Sequence, residues 1–241
     1  MICSQVFRAA ACFGVLFGGS LANGQALRPV RVVLVGDSTV NDGGGWGPGF
    51  RAWFGADVQV VNLAQNGRSS KSFRAEGLWA PAVTGRPDYI LIQFGHNDGP
   101  GKGPDRETDP KTTFRENMAR YVEEARATGA QPVLVTSIVR RVFNDDGKVK
   151  RDSLAPYVEA VRELAMQLNV PLVDLYLATL EQAEKLGSEG CAEIDARLPD
   201  GKRDTTHLGP KGRQEIGRMA AQEFVRLVPA MREYAAAPGQ P

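Results

Sequence analysis

Five short apolar runs, separated by stretches of helical periodicity, constrain the fold of this chain more than any other feature of its sequence. The runs do not alternate apolar with polar residues, which is typical of strands buried on both faces of a parallel sheet. They span residues 30–36, 58–63, 89–94, 132–138 and 170–174. Strands of this kind alternating with helices predict an α/β domain whose five-stranded, mainly parallel sheet carries helices on both faces.

Three stripes of apolar residues at helical spacing predict the helices of this domain. Two of them cover residues 114–125 and 154–168, and a third helix is expected to begin at Pro210 and end near Pro229. After the fourth strand, the segment 140–150 contains Asp146-Gly147, a dipeptide that favours a tight hairpin turn. We therefore predict a small excursion of the chain at this point.

The composition is that of an ordinary globular protein. The chain has 241 residues, of which 24% are charged and 42% hydrophobic, and its formal net charge is +1. This length suffices for one sizeable α/β domain with a well-buried core. The near-neutral charge gives no indication of a nucleic-acid partner or of binding to a membrane surface.

The first 26 residues have the pattern of a secretory signal peptide. Arg8 is followed by an apolar run over residues 9–17 and by the small-residue end Gly24-Gln25-Ala26. The apolar run is too short to anchor the chain in a bilayer, and a frayed helix is the alternative. We therefore expect a signal peptide at 1–26 and a single domain at 27–241, secreted or periplasmic in a bacterium. Cys191 is then the one cysteine of the mature chain, which excludes an internal disulfide.

A serine directly follows the first apolar run. In open parallel sheets ligands bind outside the carboxyl ends of the strands, so Ser38 of Gly36-Asp37-Ser38 would lie in that crevice. Serine is a nucleophile when a base takes its proton and nearby donors stabilise the oxyanion. Capping a helix is the alternative role for this residue.

Two histidines of the mature chain are candidates for that base. Asp204 precedes His207 by three residues, and a short turn would bring its carboxylate beside the imidazole, leaving the other ring nitrogen for Ser38. His96 follows the third apolar run and competes for the role. Its neighbour Asn97 carries an amide suited to an oxyanion, so we assign Asn97 as the donor and leave His96 a structural or substrate-side role.

Four segments of the chain, read together, indicate a family. GDSTV, NGRSSKSF, FGHNDG and DTTHLGPKG occur in this order, and the second contains Gly67, which allows a backbone N–H to approach a ligand closely. The combination resembles the SGNH (GDSL-type) hydrolases and, within them, the rhamnogalacturonan acetylesterase family. The resemblance covers essentially the whole mature chain. It implies a flavodoxin-like three-layer α/β/α sandwich, the SGNH hydrolase fold.

The same resemblance implies the roles of the site residues. Ser38 is expected to be the nucleophile, with Asp204 and His207 completing a triad. The backbone N–H groups of Ser38 and Gly67 and the amide of Asn97 are expected to form the oxyanion hole. Acyl transfer of this kind needs no metal and no organic cofactor, and no clustered His/Cys pattern suggests a metal site.

The expected function is a serine esterase that removes O-acetyl groups from a plant cell-wall polysaccharide, acetylated rhamnogalacturonan in particular. The candidates for binding the galacturonate carboxylates or the sugar are Arg68, Lys71, His96 and Arg140. Solvated surface charge is the alternative for each basic residue. Neither nucleic acid nor membrane insertion of the mature chain is expected.

Other functions remain open at this point. An SGNH esterase for acetylated xylan, sialic acid or short-chain lipids would share every catalytic residue and differ only in its substrate groove. An O-acyltransferase would pass the acyl group to a sugar instead of to water. A carbohydrate-binding protein without catalysis would not need all five catalytic positions, and all five are filled here.

Overall fold

The computed structural model describes residues 27–235, and the predicted signal peptide lies outside them. The strands are β1 (Val30–Gly36), β2 (Val58–Asn62), β3 (Tyr89–Gln93), β4 (Gln131–Val135), β5 (Leu172–Val173), β6 (Asp195–Arg197) and β7 (Arg203–Leu208). The α-helices are α1 (Gly47–Arg51), α2 (Ser70–Ala75), α3 (Ala80–Thr84), α4 (Thr113–Ala127), α5 (Ala155–Gln167), α6 (Leu175–Cys191) and α7 (Pro210–Leu227). A 3₁₀ helix, Pro229–Tyr234, follows α7.

Five of the strands form one parallel sheet in the order β2-β1-β3-β4-β5. They correspond to the five apolar runs, and the predicted α/β class is confirmed. The chain passes from β1 outward to β2 and then returns past β1 to β3. The topological switch point therefore lies between β1 and β3, where an open α/β sheet forms its binding crevice.

Alternate residues of β1 show how the sheet joins two cores. Val32 and Leu34 pack on one side, together with residues of α1 and α7 such as Phe50 and Phe224. Val33 and Val35 pack on the other side, against residues of α2, α4 and α5. Successive strand residues point to opposite faces, so a strand with apolar residues throughout is buried on both. The result is the three-layer α/β/α sandwich.

The helices agree with the predicted stripes and add several that the stripes did not indicate. α4, α5 and α7 lie where helices were predicted. α6 was not predicted; it begins at an Asp174 side chain that accepts the Leu177 N–H, and it is interrupted at Gly187, where φ is +65°. Within residues 27–235, no helix has both the length and the apolar character needed to cross a membrane.

The segment after β4 forms the small excursion predicted from Asp146-Gly147. Phe143 and Val149 make an isolated antiparallel bridge, and Gly147 has a positive φ of 79°. Val149 joins a small third core with Cys191 and Ile194, so the excursion packs next to the β6–β7 hairpin. Burial raises the pKa of the Cys191 thiol, and the side chain packs as a neutral group.

Candidate active site

Ser38 stands two residues beyond the end of β1, where the chain passes very close to β3. A Cβ atom on Gly36 would lie 2.6 Å from the carbonyl oxygen of Gln93, a separation that real Cβ atoms essentially never show. Only glycine allows the end of β1 to lie this close to its neighbour. Ser38 itself is half-buried, so its hydroxyl group is within reach of solvent and of a ligand.

Asp37 holds the turn that carries Ser38. Its carbonyl oxygen accepts N–H groups from Val40 and Asn41, both at 3.1 Å. Its buried carboxylate accepts the backbone N–H of Thr39 at 2.8 Å and the Thr39 hydroxyl at 2.7 Å. Burial raises the pKa of Asp37 and outweighs these hydrogen bonds, which lower it. Asp37 therefore shapes the loop, and within residues 27–235 its carboxylate makes no hydrogen bond to a histidine ring.

Three side chains from distant parts of the chain meet at this turn. The Nε2 atom of His207 lies 2.8 Å from Ser38 Oγ, and the Nδ1 atom lies 2.7 Å from Asp204 Oδ2. Partial burial raises the pKa of Asp204, but hydrogen bonds from the His207 ring and from the backbone outweigh it and leave the pKa below its usual value. An ionised carboxylate in this position fixes the tautomer of the ring and leaves Nε2 as the acceptor of the serine proton.

A bulge in β7 places Asp204 and His207 side by side. In the β6–β7 ladder Asp204 pairs with Ala196 and Leu208 with Asp195, so residues 205–207 have no counterparts on β6. The second carboxylate oxygen of Asp204 accepts the N–H groups of Thr206 at 3.0 Å and of His207 at 3.1 Å. Sequence spacing predicted a short turn here, and the structure has a bulged strand, which redirects side chains in the same way.

A buried ionic cluster anchors the bulge, and none of its members was singled out from the sequence. Arg141, 2% exposed, donates to the buried carboxylate of Asp195, which also accepts from Arg203 at 2.6 Å. Arg141 then donates through Nη2 to the carbonyl oxygen of His207 at 2.7 Å. Its backbone N–H donates to the carbonyl of Thr205 at 2.9 Å. Arg141, which belongs to the excursion after β4, thus fixes the backbone of His207 through hydrogen bonds.

Three donors that the sequence assigned to an oxyanion hole lie in the loops after β1, β2 and β3. The backbone N–H groups of Ser38 and Gly67 donate to no backbone carbonyl within residues 27–235. Gly67 has a φ of +75°, a conformation that favours glycine. Asn97, 8% exposed, donates its side-chain amide to the carbonyl of Arg68 at 3.3 Å, which holds it against the loop after β2.

Asp98 links the loops of Gly67 and Asn97, and sequence reasoning did not assign it a role. Its carboxylate accepts the Ser70 hydroxyl at 2.5 Å, the Ser70 N–H at 3.1 Å and the Thr108 hydroxyl at 3.0 Å. Burial raises the pKa of Asp98 to about 7, against the opposing effect of these hydrogen bonds. Polar residues clustered directly after β3 were the one signal that pointed to this position.

Within residues 27–235, the His96 ring makes no hydrogen bond to Ser38. The residue is 4% exposed, and both ring nitrogens are buried without a hydrogen-bond partner in the part of the chain that the structure describes. Burial, with a contribution from Arg140, lowers the pKa of His96 well below its usual range. Of the two roles that the sequence allowed, this burial favours the structural one. Among residues 27–235, no three His, Cys, Asp or Glu side chains group as metal ligands do.

The basic residues named from the sequence differ in how far they are neutralised. Arg68 forms an ion pair with Glu76 at 2.8 Å, and Arg140 forms one with Asp152 at 2.5 Å. Lys71 is exposed, and its ammonium group donates to a backbone carbonyl. A guanidinium that already holds a carboxylate has fewer donors left for a second one, which weakens the case for Arg68 and Arg140 as binders of an acidic sugar.

The sequence of this chain is similar to those of known acylhydrolases. The family model described as GDSL-like lipase/acylhydrolase matches residues 16–215. The rhamnogalacturonan acetylesterase RhgT of Bacillus subtilis (strain 168) is 36% identical over an alignment that covers 83% of this chain and 91% of that protein.

Solved structures show the same architecture. Protein YxiM of Bacillus subtilis superposes with a TM-score of 0.68 at 25% identity, covering 84% of this chain and 58% of that one. The acetylxylan esterase Axe2 of Geobacillus stearothermophilus superposes with a TM-score of 0.61 at 18% identity, covering 83% and 94%. The second likeness supports the shared fold alone.

Proposed function

The chain belongs to the GDSL-like lipase/acylhydrolase family and is a carboxylic ester hydrolase, and from this premise we propose that it removes O-acetyl groups from rhamnogalacturonan with Ser38 as nucleophile. The observation that carries the proposal is the position of His207, with its two ring nitrogens 2.8 Å from Ser38 Oγ and 2.7 Å from Asp204. The likeness to RhgT over most of both chains supports the choice of substrate.

The first half of the proposed reaction transfers the acetyl group to the enzyme. His207 Nε2 takes the proton of Ser38 as Oγ attacks the acetyl carbonyl carbon. Asp204 holds the ring and stabilises the imidazolium that forms, and it stays ionised. The tetrahedral intermediate collapses, the sugar oxygen leaves with the proton from His207, and an acetyl ester remains on Ser38.

Three hydrogen-bond donors stabilise the negative charge that develops on the carbonyl oxygen. The N–H groups of Ser38 and Gly67 are not engaged by backbone carbonyls of the described residues, and they can donate to the oxyanion. The Asn97 amide is oriented by Arg68 and supplies the third donor. One such donor contributes about 2.7–4 kcal/mol of transition-state stabilisation.

The second half of the reaction repeats these steps with water. His207 takes a proton from a water molecule, which attacks the acetyl ester, and the same three donors hold the oxyanion. Acetate leaves, and Ser38 recovers its proton. A polysaccharide substrate is encountered outside the cytoplasm, so the proposal includes export of the protein through residues 1–26.

Acetate release from acetylated rhamnogalacturonan, compared with release from acetylated xylan, tests this proposal. We expect wild type to deacetylate the rhamnogalacturonan preferentially and Ser38→Ala to release no acetate above background. Preferential release from xylan would replace the substrate while keeping the triad. Equal release by wild type and Ser38→Ala would refute the role of Ser38.

A further inference from the structure

Arg106, in the long loop between β3 and α4, lies against the proposed oxyanion hole and was not singled out from the sequence. Its Nη1 atom donates to the carbonyl oxygen of Gly67 at 3.4 Å. A Cβ atom built on Gly67 would lie 3.8 Å from the same nitrogen. Its Nε atom donates to the carbonyl of Lys102 at 2.8 Å, which fixes the guanidinium against this loop. The positive charge is therefore held beside one of the three oxyanion donors.

This charge is not neutralised by an ion pair. Within residues 27–235, no carboxylate lies within 4.0 Å of the guanidinium of Arg106 or of the ammonium of Lys71. Lys71 lies beside the same loop, where its Nζ donates to the carbonyl of Pro104 at 2.6 Å. Glu107 is the adjacent acid, and its carboxylate accepts the N–H of Gly103 at 2.8 Å.

The remaining donors of Arg106 suit a planar anion. A guanidinium has five N–H donors in a fixed fork, which matches the two oxygens of a carboxylate. Two of its nitrogens reach backbone carbonyls, whereas Nη2 has no hydrogen-bond partner among the described residues. Arg68, three positions before Lys71 in the sequence, is already paired with Glu76. Arg106 and Lys71 thus both retain hydrogen-bond donors for a ligand.

We infer that Arg106, assisted by Lys71, forms an anion subsite that binds a uronate carboxylate of the polysaccharide while the acetyl group occupies the oxyanion hole. The inference rests on the proposed acetylesterase function and adds a determinant of its substrate class. A neutral acetylated glycan such as xylan would leave the subsite unfilled. The enzyme should then prefer acidic polymers through KM, since the subsite contacts no reacting atom.

The test compares Arg106→Gln with wild type on two forms of acetylated rhamnogalacturonan, one with free uronates and one with methyl-esterified, neutral uronates. Loss of a charge-assisted contact is expected to raise KM on the free-uronate polymer about tenfold, with KM on the neutral polymer changed less than about twofold. Arg106→Lys should retain part of the preference. Arg120→Gln, an exposed arginine on α4 without a carboxylate within 4.0 Å among residues 27–235, is the matched control and should change neither value.

An equal change on both polymers, or none on either, would overturn the subsite while leaving the esterase intact. If wild type releases no acetate from either polymer, the proposed reaction fails, and binding decides the inference separately. A galacturonate-containing oligosaccharide is then titrated into Ser38→Ala and into Ser38→Ala with Arg106→Gln. Weaker binding by the second protein upholds the subsite, and equal binding refutes it.

Discussion

Both ring nitrogens of His207 are engaged by the residues that sequence spacing assigned to them, Ser38 at 2.8 Å and Asp204 at 2.7 Å. The spacing predicted the Asp204 contact because three residues are few enough for a side chain to reach back to its neighbour. The contact with Ser38 joins residues 169 positions apart. It was expected from the position of Ser38 after the first apolar run and from the order of the four segments. Each of these two contacts is tested by a substitution.

Asp204→Asn should lower kcat on an aryl acetate by roughly 10⁴, because an asparagine amide donates to Nδ1 and leaves the ring proton on Nε2. Asp200→Asn is the matched control, since Asp200 is an exposed acid in the same hairpin and pairs with Lys202. Its activity should equal that of wild type. Wild-type activity in Asp204→Asn would place the orienting acid elsewhere.

Asn97→Ala should lower kcat by about 10²–10³ with little change in KM, because the amide is proposed to donate mainly to the oxyanion of the transition state. Asn144→Ala, at an exposed position in the excursion, is the control. Steady-state kinetics on the same ester measure the effect. An unchanged kcat in a folded Asn97→Ala protein would remove Asn97 from the oxyanion hole.

At the scale of elements, the β6–β7 hairpin positions the histidine through Arg141, which contacts both Asp195 and the carbonyl of His207. Arg141→Lys keeps the charge but cannot hold both partners, so kcat should fall about tenfold. Arg203→Lys changes the half-buried arginine that pairs with the same Asp195 carboxylate. Among residues 27–235 the Arg203 side chain donates to Asp195 and Ser188 and not to His207, so this substitution should lower kcat less. The two variants are compared at matched stability, determined by urea unfolding.

Chemical shifts of the His207 ring nitrogens separate positioning from general destabilisation. They should move in Arg141→Lys and stay in place in Arg203→Lys. Equal kcat values and equal ring shifts in the two variants would show that Arg141 serves only the stability of the hairpin.

The helices and strands differ in how well their positions could be predicted from the sequence. β1 was predicted with its observed bounds, and α4, α5 and α7 were recognisable because each repeats apolar residues along one face. α6 lacks such a clear stripe: it contains Gly187 and Gly190, and Leu177 and Leu186 are exposed on its surface. The bulge in β7 depends on its pairing with β6, a contact between strands that no local pattern encodes.

At the scale of the whole molecule, the sheet order collects loops from β1, β2 and β3 at one edge. Polar residues that follow those strands were therefore reasonable candidates for site residues even before the strand order was known. Asp98 and Arg106 were not singled out from the sequence because their contacts are with partners in another loop, Ser70 and Gly67. Contacts between different loops depend on the strand order, and they cannot be predicted from composition or periodicity.

The buried Asp98 carboxyl should make the stability of the whole domain depend on pH. Its pKa is about 7 in the folded protein, against an ordinary value of 3.8, so the folded state holds the extra proton between these values. The free energy of unfolding should therefore fall as pH rises through this window, by up to about 1.4 kcal/mol per pH unit from this group, and level off above about pH 7.

Urea unfolding across this window compares wild type with Asp98→Asn, in which this contribution is absent. The control is Asp145→Asn, an exposed acid in the excursion, which should keep the wild-type slope. Identical slopes in wild type and Asp98→Asn would show that Asp98 titrates near its ordinary value.

Covalent labelling shows which serine of this hydrolase is the nucleophile, and we propose that it is Ser38. The protein is treated with an organofluorophosphonate, which reacts with serines activated by a neighbouring base, and the labelled residue is mapped by peptide mass spectrometry. We expect a single phosphonylated residue, Ser38, with esterase activity lost in proportion to labelling. Loss of activity with the label on another residue, or full activity with Ser38 labelled, would contradict it.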